Sequence, residues 1–255
     1  MAEVFNIWEG IYTSFEAADK NSIGKGFEGD VYNKRALDAA KECLTTLKAG
    51  VPIPPFHKQR SNLLPPVAAM MLQGRSSIKV LDFGGGLGIG YMTLAESIPS
   101  FAKSVKYSIV EFAEICEQGS KLHSGEINFL SALPDSGQFD LIHSASAIQY
   151  IKDWQGLIKK LSFYNPEYIL LSDVFAGQIP TFATLQNYYS SKISHWFFNI
   201  DEFISFFSSI GYTLEMKSYV NSRRLQSDDI LPMGNFPESH RLKQTLHLLF
   251  SRDKD

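Results

Sequence analysis

The sequence predicts an α/β protein: a doubly wound, mostly parallel sheet of seven strands, preceded by a helical segment over residues 1–77. Three observations predict it. From residue 78 onward, short apolar runs alternate with helical spacers, the pattern of a parallel sheet covered on both faces. The first of those runs ends in a glycine-rich turn that opens a helix. Ahead of it the chain carries helical periodicity and no convincing strand. At 255 residues one large core with an added lid is expected rather than two equal domains.

Composition narrows the classes. With 24 Lys+Arg against 27 Asp+Glu and 44% apolar residues, the chain reads as an ordinary globular protein. It lacks the basic excess that a nucleic-acid partner requires. Two cysteines cannot build a disulfide framework, and no Cys/His cluster has zinc spacing, so no metal is expected. No apolar run reaches the roughly 18 residues of a membrane span. Glu3 stands where a signal peptide would carry Lys or Arg, so a cytoplasmic location is expected.

Element by element, Trp8, Tyr12 and Phe15 fall at i, i+4 and i+7, one face of a helix. Leu37, Ala40, Cys43, Leu44 and Leu47 form an amphipathic stripe within a helix over 32–48, with Gly50 as its stop. Pro52, Pro54 and Pro55 predict an extended connector, and Pro65 and Pro66 the first turn of a short helix running to about Leu72. Strands are predicted at 78–83, 107–110, 127–130, 139–143 and 168–172, with helices at 91–97 and 154–161 between them. A helix over 201–210, capped by Asn199 with Glu202 and stopped by Gly211, precedes two last strands at 212–220 and 245–250. A polar loop over 221–243 joins those two; it carries Arg223-Arg224, a local basic patch that the net charge would hide.

The segment Val80-Leu81-Asp82-Phe83-Gly84-Gly85-Gly86-Leu87-Gly88-Ile89-Gly90 is the informative one. A buried strand runs into a turn without Cβ atoms, so the backbone can approach a ligand and the next helix's N–H groups stay free. The phosphate-loop pattern fails because Tyr91 and Met92 follow Gly90, and the dinucleotide G-x-G-x-x-G pattern fails in each register. An acid followed by G-x-G-x-G fits: Asp82, then Gly84, Gly86 and Gly88. Here the sequence resembles the class I S-adenosylmethionine-dependent methyltransferases, whose Rossmann-like domain would cover residues 78–255, with residues 1–77 as its lid.

The resemblance continues in order. Glu111, after the second strand, would accept both ribose hydroxyls of the cofactor, with Phe112 beside it. Ser131 and Ala132 end the third strand, where the family forms its adenine pocket. His143 and Ser144 end the fourth strand on the methionine side, and Gln149 stands where many relatives carry His. The resemblance implies S-adenosyl-L-methionine as cofactor and a small-molecule acceptor. Trp8-Glu9-Gly10-Ile11-Tyr12 also looks like methyltransferases of polysaccharide-biosynthesis gene clusters, which implies a sugar or sugar-nucleotide hydroxyl.

A rival resemblance is to short-chain dehydrogenases. Tyr188-Tyr189-Ser190-Ser191-Lys192 supplies their Tyr-x-x-x-Lys pair, in which Lys lowers the Tyr pKa for proton transfer; that reading implies a nicotinamide nucleotide. A third reading is a cofactor-binding module without turnover. For methyl transfer to a hydroxyl, His143 and His195 are the candidate proton acceptors. Asp173, after the fifth strand, reads as a helix cap ahead of a base, and Tyr12 and Tyr32 read as core or surface residues ahead of residues that close over an acceptor.

Overall fold

In the computed structural model the described residues are 5–98, 100–220 and 231–253. In chain order the strands are β1 (Trp8–Tyr12), β2 (Ile78–Phe83), β3 (Val105–Val110), β4 (Asn128–Leu130), β5 (Leu141–Ala145), β6 (Tyr168–Val174), β7 (Ala176–Gly177), β8 (Phe182–Tyr188), β9 (Ser191–Asn199), β10 (Tyr212–Val220) and β11 (Thr245–Arg252). Seven of them form the main sheet in the order β10-β11-β6-β5-β2-β3-β4. Only β11 runs antiparallel to its neighbours there. The seven predicted strands and the mostly parallel, doubly wound class are what the molecule has.

Alternation along each strand splits the core in two, because successive side chains point to opposite faces. On one face Val80, Leu141 and Leu170 pack under Leu64, Met71 and Met92 from helices Leu64–Met71 and Ile89–Ser97, with Ala40 and Cys43 of helix Asp30–Lys48. On the other, Leu81, Ile142 and Leu171 meet Leu161 of helix Trp154–Ser162 and Phe203 and Phe207 of helix Ile200–Ser209. Phe207 stacks on Phe250 of β11 with ring centroids 3.9 Å apart. Asn199 caps the last of these helices, accepting from the N–H groups of Asp201 and Glu202. Among the described residues no helix is long and apolar enough to cross a membrane.

A second sheet, in the order β1-β8-β9-β7, corrects two helical expectations. Trp8 and Tyr12 lie on a strand antiparallel to β8, and Phe15 begins a separate short helix, Phe15–Asp19. The local spacing suits a helix, but the segment's partner lies more than 170 residues away, and Trp8, Ile11 and Tyr12 are residue types that fill a pleated surface well. Tyr188–Lys192, whose i, i+4 spacing also suits a helix, is the turn of the β8–β9 hairpin. The proline-rich connector contains one helical turn, Pro55–Lys58. Arg223-Arg224 lies outside the described residues.

The small sheet sits at the carboxyl ends of β5 and β6. The Phe198 N–H of β9 donates to the Phe175 carbonyl just past β6, 2.8 Å away, and Trp8, Phe175 and Phe197 form one buried aromatic knot with centroids 5.4–5.5 Å apart. In the main sheet, β2 is flanked by β5 on one side and β3 on the other. The winding direction reverses there, which is where open α/β sheets hold ligands.

Candidate functional site

The turn leaving β2 is held open by its own backbone. Gly86 has φ +56°, a conformation L side chains rarely adopt, and a Cβ added to it would meet no atom within 4 Å. Gly88 is different: a Cβ there would lie 2.7 Å from Ile127 Cδ1 and 2.9 Å from His123 Nε2. That imidazole braces the turn from beneath through the Leu87 carbonyl, 2.9 Å away. Gly88 is therefore required by packing, whereas Gly86 borders free space. The Gly84 N–H donates to the Val110 carbonyl at 3.0 Å, which ties the turn to the end of β3.

Glu111 follows β3 and faces this turn. Its Oε1 accepts the Gly86 N–H at 3.1 Å, and its Oε2 the Phe112 N–H at 3.0 Å. Burial pushes its carboxyl up from the ordinary range; the two backbone donors pull it down, and the nearby Asp82 charge adds to the rise. Each oxygen keeps a further lone pair for a hydroxyl donor. The Glu111 N–H donates to the Leu130 carbonyl at 3.0 Å, so exposed Ser131 and Ala132 emerge beside the carboxylate. Phe112 is 48% exposed, an apolar face at the same rim. Open space beside Gly86 and a carboxylate next to it fit an adenosyl cofactor with two vicinal hydroxyls.

Other predicted site residues lie deeper. Asp82 is buried under the turn, accepting from Tyr107 Oη at 2.6 Å and from His143 Nδ1 at 2.9 Å. Ser144 is buried with its hydroxyl on the Phe83 carbonyl, 2.9 Å away, which fastens β5 to β2. His143 Nε2 is buried and makes no hydrogen bond to any described residue; the same is true of Ser172 Oγ and of both ring nitrogens of His247. These residues extend a polar row across the sheet, from Tyr107 on β3 to His247 on β11.

His247 has a measurable consequence. Burial, with the His143 charge adding and Asp173 opposing, lowers its pKa from 6.5 to about 4. Below pH 6.5 the unfolded imidazole binds a proton that the folded one refuses until about 4, so stability falls as pH falls through that window. Between roughly pH 7 and 4.5 this costs about 2 kcal/mol. Denaturant titrations should show that loss in the native protein and a correspondingly flatter pH slope in His247→Leu; an unchanged slope would refute the assignment.

A cluster of packed aromatic rings lies near the cradle. Phe27 packs against Tyr32, Tyr150 and Tyr188 with centroids 5.1, 4.7 and 5.2 Å away. Burial and then the Glu111 carboxylate push the Tyr32 hydroxyl pKa up, which sets that phenol near the cradle. His195 is fully buried against Tyr150 at 5.1 Å and Phe175 at 4.5 Å. Tyr12 instead packs with Ala18 and Leu185 in the small sheet's own cluster.

Asp173 is not a helix cap. It lies within β6, fully buried, at φ +56°, and the chain runs on from it into the strands of the small sheet rather than into a helix. Its carboxylate accepts from Thr245 Oγ1 at 2.5 Å and from Ser146 Oγ, and pairs with Arg60 Nε at 3.0 Å. Ser146, just past β5, is also left-handed at φ +55°. Two such non-glycine residues on adjacent strand ends are the strained backbone often found at functional sites. Arg60 and Phe27 carry no sequence signal for this place, since it depends on contacts between distant segments.

The dehydrogenase pair does not assemble. In the hairpin Tyr188 is opposite Ser191 and Asn187 opposite Lys192, so Tyr188 and Lys192 point to opposite faces. Lys192 Nζ is held by Glu9 Oε2 at 2.7 Å, and burial raises the Tyr188 pKa instead of a lysine lowering it.

Comparison with known proteins agrees with this geometry. A family described as a methyltransferase domain matches residues 56–217. Among solved structures, a 1,6-didemethyltoxoflavin N1-methyltransferase from Burkholderia thailandensis, with S-adenosylhomocysteine bound, is 12% identical over 91% of this chain and 94% of its own, with a TM-score of 0.53. An S-adenosylmethionine-dependent methyltransferase from Clostridium acetobutylicum gives 12%, 88%, 100% and 0.53 for the same quantities. The magnesium protoporphyrin IX methyltransferase of Synechocystis, with S-adenosylmethionine bound, gives 13%, 88%, 94% and 0.51. At such identities these likenesses show the fold alone. No curated protein sequence matches the chain. The family match spans more than half of the sequence, and the chain accordingly belongs to this methyltransferase-domain family, as a class I enzyme that uses S-adenosylmethionine.

Proposed function

We propose that the protein methylates a hydroxyl of a small polar acceptor, a sugar or a sugar-bearing precursor, in the cytoplasm. The observation that carries this reading is the aromatic cluster near the cradle. Tyr32 and Tyr188 supply aromatic rings there, a side-chain type that suits the C–H faces of a sugar ring, and the Arg60–Asp173 pair sets polar groups nearby.

Gly86 and Glu111 would hold the cofactor, with Phe112, Ser131 and Ala132 at its adenine end, while Asp82, Gly84, Gly88 and Ser144 keep the turn in shape. S-adenosylmethionine supplies an electrophilic methyl group when bound. The chain's part is to align the acceptor oxygen, exclude water and take up a proton. Residues 1–77 act as the lid: Phe27 and Tyr32 contribute packed aromatic rings, and the Arg60–Asp173 pair latches this segment to the main sheet. Asp82 orients His143 through Nδ1–H, which leaves Nε2 as the basic nitrogen. His195, walled by aromatic rings, is the second candidate.

The test is acceptor-dependent release of S-adenosylhomocysteine from sugars and sugar nucleotides. Cofactor binding without turnover on any of them would replace this reading with a binding module. With an acceptor in hand, His143→Ala should slow turnover more than tenfold at unchanged cofactor affinity, and His195→Ala should slow it less. If neither variant loses tenfold, both lose their role.

A further inference from the structure

Arg60 is held in place but its donors are not used. Its Nε lies 3.0 Å from Asp173 Oδ2, yet this buried nitrogen is not aligned for a hydrogen bond with any described residue. A guanidinium carries five N–H donors in a rigid fork that matches carboxylate or phosphate oxygens. Here one edge is spent on charge pairing with a carboxylate that Ser146 and Thr245 already satisfy, and the side chain is 43% exposed. Its charge acts on the hydroxyls of both Tyr32 and Tyr188, whose ring centroids lie 6.3 Å apart with the planes tilted by 59°. A second guanidinium, Arg35, lies 5.3 Å over Tyr189, which packs edge-on against Tyr188. Arg35 makes no ion pair among the described residues.

Resting on the reading that this region takes the methyl acceptor, we propose that Arg60 receives an anionic group of that acceptor, a phosphate or a carboxylate, with Asp173 as the residue that positions it and Arg35 steering the charge inward. The acceptor class is thereby a phosphorylated or acidic sugar rather than a neutral one. The strained backbone at Ser146 and Asp173 fits this role: it turns the carboxylate toward Arg60, fixing the fork before the acceptor arrives.

The experiment uses the full chain saturated with S-adenosylhomocysteine, titrated calorimetrically with glucose 6-phosphate, glucuronate and glucose. At least one anionic sugar should bind tenfold or more tightly than glucose, and which one it is separates phosphate from carboxylate recognition. Arg60→Met, with folding checked by thermal melts, should erase that preference. Arg60→Lys, which keeps the charge without the fork, should retain part of the phosphate preference and none for the carboxylate. Equal affinity for all three sugars in the native protein, or an undiminished preference in Arg60→Met, would overturn the proposal. A native chain that fails to bind S-adenosylhomocysteine would point to a fault in the cofactor site instead, and would remove the ground for both.

Discussion

Replacing Gly86 by valine should abolish binding of S-adenosylhomocysteine in a protein that still folds. The space a side chain would enter at this position holds no atom of the protein within 4 Å, so the loss would come from the ligand's side of the turn. Valine also dislikes φ +56°, which has to be separated from the steric effect. Gly50 provides the control: it has φ +67°, nothing within 4 Å of its added Cβ, and a place at the end of helix Asp30–Lys48, outside the cradle. Gly50→Val should therefore carry a comparable backbone penalty and bind the ligand normally. Calorimetry on both variants, with thermal melts as the folding check, decides the matter. Near-native affinity in Gly86→Val would remove the glycine turn from the cofactor site.

Glu111→Ala should weaken the same ligand by about 1.5–3 kcal/mol, the scale of hydrogen bonds to a charged group, or about ten- to a hundredfold. The carboxylate has two tasks. It fixes the turn through the Gly86 N–H, and it presents free lone pairs to the ribose hydroxyls. Glu111→Gln separates them, because the amide retains one acceptor oxygen but places an NH2 where the other backbone N–H donates. An intermediate affinity is expected from it. Because burial raises the Glu111 pKa in the free protein and hydroxyl donors favour the ionised form, affinity should fall as the pH drops into the carboxylate range, and Glu111→Ala should lose that dependence. Native affinity in the alanine variant, within threefold, would contradict the assignment.

The glycine turn and the carboxylate beside it were readable in the sequence because their parts are local. A strand, a turn free of Cβ atoms and the helix it opens occupy one stretch, 78–97, and Glu111 announces itself by standing directly after an apolar strand. The wrong readings all concern segments whose partners are remote. The Trp8, Tyr12 and Phe15 spacing fits a helix until β8 is available to pair with β1. Tyr188 and Lys192 look like neighbours on a helix until the hairpin turns them to opposite faces. Asp173 resembles a cap because an acid after a strand commonly starts a helix, whereas its burial, its left-handed backbone and its pairing with Arg60 come from packing alone.

The sequence by itself determined the seven-stranded class and the glycine turn that leaves its first strand, because hydrophobic alternation and glycine at a tight turn act over a few residues and leave a local imprint. Only the tertiary structure decided that the N-terminal strand joins a hairpin from the far half of the chain, that Asp82 and His143 are paired beneath the turn, and that Arg60 stands over Asp173 among tyrosines. Those contacts bring together groups separated by 61 to 183 residues, and no local propensity encodes which distant partner will satisfy a buried charge.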